Sequence, residues 1–186
     1  MLLTGRWALL TALFVSMAAA QDRLPLCEAC HGAGGNSQTA GIPSIAGQPQ
    51  LFLENQLVFF REGLRVSPPM QAAVTALTDK EITRLAARFA ALPARPSAEG
   101  PPDAALAKQG TAAAQKLHCG SCHLPDYRGQ KQIPRLATQR EDYLVEAMLA
   151  YRDNRRTGGD TIMAAALYGV PDADIRAMAH YLARLR

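Results

Sequence analysis

Cys27-Glu28-Ala29-Cys30-His31 and, ninety-two residues on, Cys119-Gly120-Ser121-Cys122-His123 together use every cysteine in a chain of 186 residues. A Cys-x-x-Cys-His run is the attachment signature of a c-type haem. Each thiol can form a thioether with one porphyrin vinyl group, and the next residue offers an imidazole to the iron from the same side. Two such runs predict two covalently bound haem c groups, held by Cys27, Cys30, Cys119 and Cys122, with His31 and His123 as iron ligands. Other uses of paired cysteines fit less well. A zinc ribbon sets its pairs roughly 15–20 residues apart and needs no histidine after the second cysteine. Disulfides or a redox-active dithiol would explain one pair, but not its repetition with a trailing histidine.

Ahead of the first motif, Arg6 is followed by an apolar run from Trp7 to Val15 and by Ser16-Met17-Ala18-Ala19-Ala20. A positive start, a short apolar stretch and small residues at the cleavage point predict a secretory signal over residues 1–20. The apolar stretch is shorter than the roughly 18–20 residues that span a bilayer, which argues against an uncleaved anchor. Export to the periplasm suits haem attachment, which in bacteria takes place outside the cytoplasm.

The remainder divides around Pro93-Ala-Arg-Pro96-Ser-Ala-Glu-Gly100-Pro101-Pro102, which cannot be regular helix or strand. The expected organisation is a domain over 21–92, a stiff linker over 93–102 and a second domain over 103–186. Domains this small bury little surface unaided, and a large apolar prosthetic group makes up the deficit. Residues 21–92 carry six acidic and six basic side chains, and 103–186 carry nine and twelve. With no basic run interleaved with aromatics, the formal net charge of +4 is not a nucleic-acid signal.

The two segments are duplicates. Pro43-Ser-Ile-Ala-Gly-Gln48 lies over Pro134-Arg-Leu-Ala-Thr-Gln139, and the offset of ninety-one persists through Leu53 over Leu144, Arg61 over Arg152 and Arg65 over Arg156. Past Met70 and Met163 an offset of ninety-three matches Asp79 with Asp172, Ile82 with Ile175 and Ala86 with Ala179. Met70 and Met163 thus hold the same place in each repeat and are the expected second iron ligands, each just past a loop: Ser67-Pro68-Pro69 and Thr157-Gly158-Gly159-Asp160. Met148 and Met178 fall at apolar positions of helical stretches, where methionine fills core gaps. His118 reads as an exposed residue of the attachment turn, and His180 as a structural histidine of the last helix.

Apolar residues recur at helical spacing over 51–63 and 142–154. Thr78 or Asp79 caps a helix running to Leu92, Pro171-Asp172 opens its counterpart, and Asp103 to Leu117 leads into the second motif. No stretch reads as a strand, so the predicted fold is all-α.

The chain resembles the dihaem cytochrome c4 family, two tandem class I cytochrome c domains. Its most specific stretch is Gly41-Ile-Pro-Ser-Ile-Ala-Gly-Gln-Pro-Gln-Leu-Phe-Leu-Glu-Asn-Gln-Leu-Val-Phe-Phe-Arg-Glu-Gly. The resemblance implies a periplasmic electron carrier with its domains facing each other across a pseudo-twofold interface. It also implies that the carbonyls of Pro43 and Pro134 accept the ring N–H of the haem histidines. Arg61 and Arg152 look like family arginines near the haem or the interface, with a plain helix-surface role equally open. Gly110 and Tyr181 look like the contact between first and last helices of such a domain. Before Cys27 that first helix is nearly missing, so either the first haem is more exposed or something else covers it.

For function, the resemblance implies a carrier from a quinol-oxidising complex to a terminal oxidase or similar acceptor, with redox protein partners that include a membrane respiratory complex or a dehydrogenase subunit. The alternative is a dedicated dihaem subunit of a periplasmic dehydrogenase such as a flavocytochrome c. No catalytic base, nucleophile or phosphate-binding loop is recognisable, so no enzyme is expected.

Overall fold

The computed structural model describes residues 23–97, 100–156, 158 and 161–186; the expected signal over 1–20 lies outside the described residues. The first half contains α1 (Leu24–His31), a 3-10 turn (Ala33–Gly35), α2 (Gln50–Arg61), α3 (Pro68–Val74) and α4 (Asp79–Ala90). The second contains α5 (Ala104–Lys116), α6 (Gly120–His123), α7 (Glu141–Arg152), α8 (Thr161–Leu167) and α9 (Asp172–Ala183). The only pairing outside helices among the described residues is one isolated bridge, Gln130 with Ile133.

Local chemistry sets the helix starts. At α4 the Thr78 hydroxyl accepts the Glu81 N–H at 3.3 Å while the Glu81 carboxylate accepts the Thr78 N–H at 2.8 Å, a reciprocal capping box. At α5 the Asp103 carboxylate accepts the N–H groups of Ala105 and Leu106, both at 2.9 Å. Two short helices were not expected from the sequence: Met70 and Met163, just past their expected loops, sit within α3 and α8, and α3 already takes in Pro68 and Pro69. Pro68 and Pro69 look like helix breakers, but they occupy the first turn of α3, where a missing N–H costs nothing and the fixed φ suits the helix.

The cores are unequal. In the second half one cluster joins Ala113 and Ala114 of α5, Leu144 and Met148 of α7, and Ile175, Met178, Ala179 and Leu182 of α9. Met148 and Met178 are therefore core side chains. The first half has two smaller clusters, Phe60, Val74, Leu77, Ile82 and Leu85, and Leu53, Ala86 and Phe89. Leu24 packs on both, so one turn of α1 ahead of Cys27 partly covers what α5 covers in the other half. α5 crosses α9 closely: a Cβ on Gly110 would overlap the Ala177 carbonyl and stand 2.9 Å from the Tyr181 Cβ.

A pseudo-twofold interface joins the halves. The Gln48 carboxamide accepts the Arg135 N–H and donates to the Arg135 carbonyl, both at 2.9 Å. Ninety-one residues on, Gln139 does the same to Ser44, both at 2.8 Å. Both glutamines are 5% exposed, and each satisfies a backbone donor and acceptor that burial would otherwise leave unpaired. Phe52 N–H also donates to the Lys131 carbonyl (3.1 Å) and Gly41 N–H to the Asp142 carboxylate (2.9 Å).

The partners of Arg61 and Arg152 lie within their own halves. Arg61 donates to the Leu77 carbonyl (2.9 Å) and pairs with Asp79 (2.8 Å); Arg152 donates to the Val170 carbonyl (3.0 Å) and pairs with Asp172 (2.5 Å). Each ties the end of one helix to the start of another inside its own half.

Candidate haem sites

Each histidine of a Cys-x-x-Cys-His run ends a short helix and is buried: His31 closes α1 at 8% exposure and His123 closes α6 at 4%. The turn that follows needs positive φ. Gly32 supplies it at 79°, and a Cβ there would overlap the Asn36 carbonyl; Leu124 takes φ 70° at the matching place. That turn returns the chain so that Pro43 and Pro134 face the imidazoles, with Nδ1 to carbonyl O distances of 2.8 Å in both halves. A carbonyl can only accept, so Nδ1 carries the proton and Nε2 keeps its lone pair for a metal. Burial lowers the pKa of His31, and the bond to Pro43 only partly opposes it, which keeps the ring neutral.

The cysteines are not disulfide-bonded. Cys27 and Cys119 are half-buried against the cores, while Cys30 and Cys122 are exposed. Burial raises the pKa of the Cys119 thiol. Cys27 and Met70 pack on one cluster and Cys119 and Met163 on another, so each half brings its first thiol and its methionine to the same core. Among the described residues no group of three His, Cys, Asp or Glu side chains is placed to hold a metal ion. Two thiols, an imidazole whose Nδ1 is held by a proline carbonyl and a thioether on the same core fit a covalent haem in each half.

His118 is exposed at φ 54°. His180 is buried and structural: Nε2 accepts the Asp103 N–H at 2.9 Å, and Nδ1 faces the Glu141 carboxylate at 3.2 Å. It ties the start of α5 to α7 and α9.

Between the halves lies a cavity of about 340 Å³, lined by Pro43, Phe60 and Met70 on one side and by Tyr143, Ala147 and Arg156 on the other. At its wall Arg65 and Arg156 share two acceptors. Arg65 donates to Gln56 Oε1 (2.6 Å) and Tyr143 Oη (3.2 Å), and Arg156 donates to the same atoms at 3.3 Å each. The guanidiniums stack on Phe60 and Tyr151, both 4.6 Å from the ring centre. Burial raises the Tyr143 pKa, but the charges and hydrogen bonds of Arg156 and Arg65 outweigh it and bring the phenol down to about 8. The repeat aligned the two arginines; nothing in the sequence marked Gln56 and Tyr143 as their shared acceptors.

These features define a c-type cytochrome of two class I units, and comparison with known proteins agrees. The Cytochrome c family matches residues 107–186. Cytochrome c4 of Pseudomonas aeruginosa is 32% identical over 176 residues, covering 89% of this chain and 86% of that protein. A thiosulfate dehydrogenase electron acceptor from Thiomonas intermedia is 31% identical over 186 residues, covering 95% and 86%. The crystal structure of reduced recombinant cytochrome c4 from Pseudomonas stutzeri superposes with a TM-score of 0.79 at 30% identity, covering 87% of this chain and 94% of that one. The chain belongs to the cytochrome c4 family. It is accordingly an electron-transfer protein carrying covalent haem c, and not an enzyme. Among the described residues no helix is long and apolar enough to cross a membrane.

Proposed function

We propose that the chain is a periplasmic dihaem electron carrier running from a quinol-oxidising complex to a terminal oxidase or similar acceptor. In this reading residues 1–20 direct export, 21–92 and 103–186 each carry one haem, and 93–102 link them. Cys27, Cys30, Cys119 and Cys122 would hold the two groups covalently, and His31 with Met70 and His123 with Met163 would ligate the irons. Each haem, when bound, takes up and releases one electron. The chain's own residues do the rest: the Pro43 and Pro134 carbonyls orient the imidazoles, and the methionine thioethers favour the ferrous state and raise the potential. The observation that carries the reading is the duplication of the histidine–proline bond at 2.8 Å in both halves.

Met163→Ala tests the ligand assignment. One of two methionine-to-iron absorption signals is lost and that haem's potential falls, while Met148→Ala leaves both signals in place. An unchanged spectrum in Met163→Ala refutes it.

A second reading is a dedicated acceptor subunit of a periplasmic dehydrogenase. The Thiomonas intermedia relative, named as a thiosulfate dehydrogenase electron acceptor, favours it. Size-exclusion of the native protein separates the two: a carrier elutes alone, a subunit co-elutes with a larger partner.

A further inference from the structure

Lys80, Arg84 and Arg88 stand four residues apart on α4 and are all exposed, forming one cationic stripe along the helix. The duplication shows what that stripe replaces. Ninety-three residues on, the same positions are Ala173, Ala177 and Tyr181. Ala177 and Tyr181 lie beneath α5, with Gly110 pressed against them. The first half has no counterpart of α5 among the described residues, and the face that would receive it carries arginines instead.

The stripe works against its own helix. Like charges four apart destabilise a helix, and Lys80 in the first turn opposes the helix dipole. The nearby carboxylates are engaged elsewhere: Asp79 pairs with Arg61, and Glu81 closes the capping box on Thr78. Arg23 lies close enough to lower the Glu81 pKa, after the larger effect of the Thr78 hydrogen bonds. Leu26 of α1, 50% exposed, adds an apolar residue to the same half.

We propose that this face of α4 is a docking surface for an acidic protein, a redox partner of the first haem. The proposal rests on the electron-carrier reading and names where one partner binds. The inner side of α4 supplies Ile82, Leu85, Ala86 and Phe89 to the cores on which Cys27 packs. A partner on the outer side is therefore about one helix diameter, roughly 10 Å, from the first attachment site. Basic residues at the rim of such a contact steer encounter and set salt dependence. An anionic membrane is the poorer occupant, because interfacial helices insert an apolar face and that of α4 is committed to the core.

The test uses the holoprotein labelled with ¹⁵N and titrated with poly-L-glutamate. Amide shifts concentrate on 23–31 and 79–90, and the Arg84→Glu/Arg88→Glu variant binds about tenfold more weakly, while Arg176→Glu, a reversal of an exposed arginine on α9, changes affinity by less than about twofold. The proposal is overturned by shifts centred on the second half, by equal losses in both variants, or by binding to phosphatidylglycerol vesicles without binding to the peptide. Reduction with ascorbate and reoxidation with ferricyanide, run on the same samples, keeps the underlying reading separate. If the wild type cannot be cycled the carrier reading fails, whereas normal cycling with no effect of charge reversal removes the docking surface alone.

Discussion

Replacing Gln139 by leucine keeps its volume and removes only its amide chemistry. In the native protein that amide accepts the Ser44 N–H and donates to the Ser44 carbonyl, both at 2.8 Å, and accepts the Arg140 N–H at 2.9 Å. Ser44 is 6% exposed and Gln139 5% exposed, so the abandoned backbone groups have little access to water. Leaving two of them unpaired costs about 1–3 kcal/mol each. Some relaxation that admits water, and the apolar burial of leucine, put the net loss near 3 kcal/mol. The cost falls on docking of one half against the other, because Gln139 and Ser44 belong to different halves. Denaturant unfolding of the holoprotein should therefore separate into two steps, and amide exchange of Ser44 should accelerate while amides inside α9 keep their protection. Gln139→Glu sharpens the test. A carboxylate can still accept from Ser44 N–H but faces the Ser44 carbonyl with no proton to donate, so this variant regains stability as pH falls and the carboxyl protonates. A loss below about 0.5 kcal/mol, with Ser44 exchange unchanged, would refute the role given to this contact.

Gly110→Ala forces a Cβ into the Ala177 carbonyl, so α5 must shift off α9; a loss of about 1–3 kcal/mol is expected in thermal unfolding, against no change for Gly100→Ala, where nothing lies within 4 Å. For Tyr143 the folded pKa of about 8 lies below the ordinary phenol value of about 10, so phenolate formation adds stability as pH rises from 8 to 10, and this increment is absent below 8. Comparing wild type with Tyr143→Phe by denaturant titration across that range should show the wild type alone gaining, with phenolate absorbance appearing near pH 8.

What could be read from the sequence was chemistry that is local or repeated. The thiols and imidazole of each haem motif lie within five residues, and the offset of ninety-one exposed Pro43 with Pro134 and Arg65 with Arg156. Helices with strong caps, such as α4 behind Thr78 and α5 behind Asp103, fell within a residue or two of their expected limits. The short α3 and α8 were missed because prolines and glycines ahead of the methionines carry the same signal whether a loop continues or a helix begins. Gln48 and Gln139 were visible as identical residues, yet their partners are backbone groups 87 and 95 residues away. Backbone partners leave no mark in a side-chain pattern. For Arg61 and Arg152 the repeat shows that they hold equivalent places in both halves, but not that their partners are the carbonyl and carboxylate at the start of the next helix.

The duplication also separates what each half must preserve from what it can change. The positions preserved in kind point inward: the histidine–proline bond, the methionine on a short helix, the arginine that ties one helix to the next, and the glutamine that reads the partner's backbone. The bond, the methionine and the glutamine answer to a haem site or to the other half, and the arginine to the fold of its own half. The positions that diverge lie on the outer face of α4 and α9, where Lys80, Arg84 and Arg88 stand against Ala173, Ala177 and Tyr181. In the second half that face is spent on stability, since α5 adds Ala113 and Ala114 to a single continuous core. In the first half only Leu24 and Cys27 of the described residues bridge two smaller clusters. With no such covering helix among the described residues, the first half buries less apolar surface there, and arginines return none of it. A docking partner on that cationic face, as proposed above, would account for the exchange: the two halves, alike in their haem motifs, are unlike on this outer face.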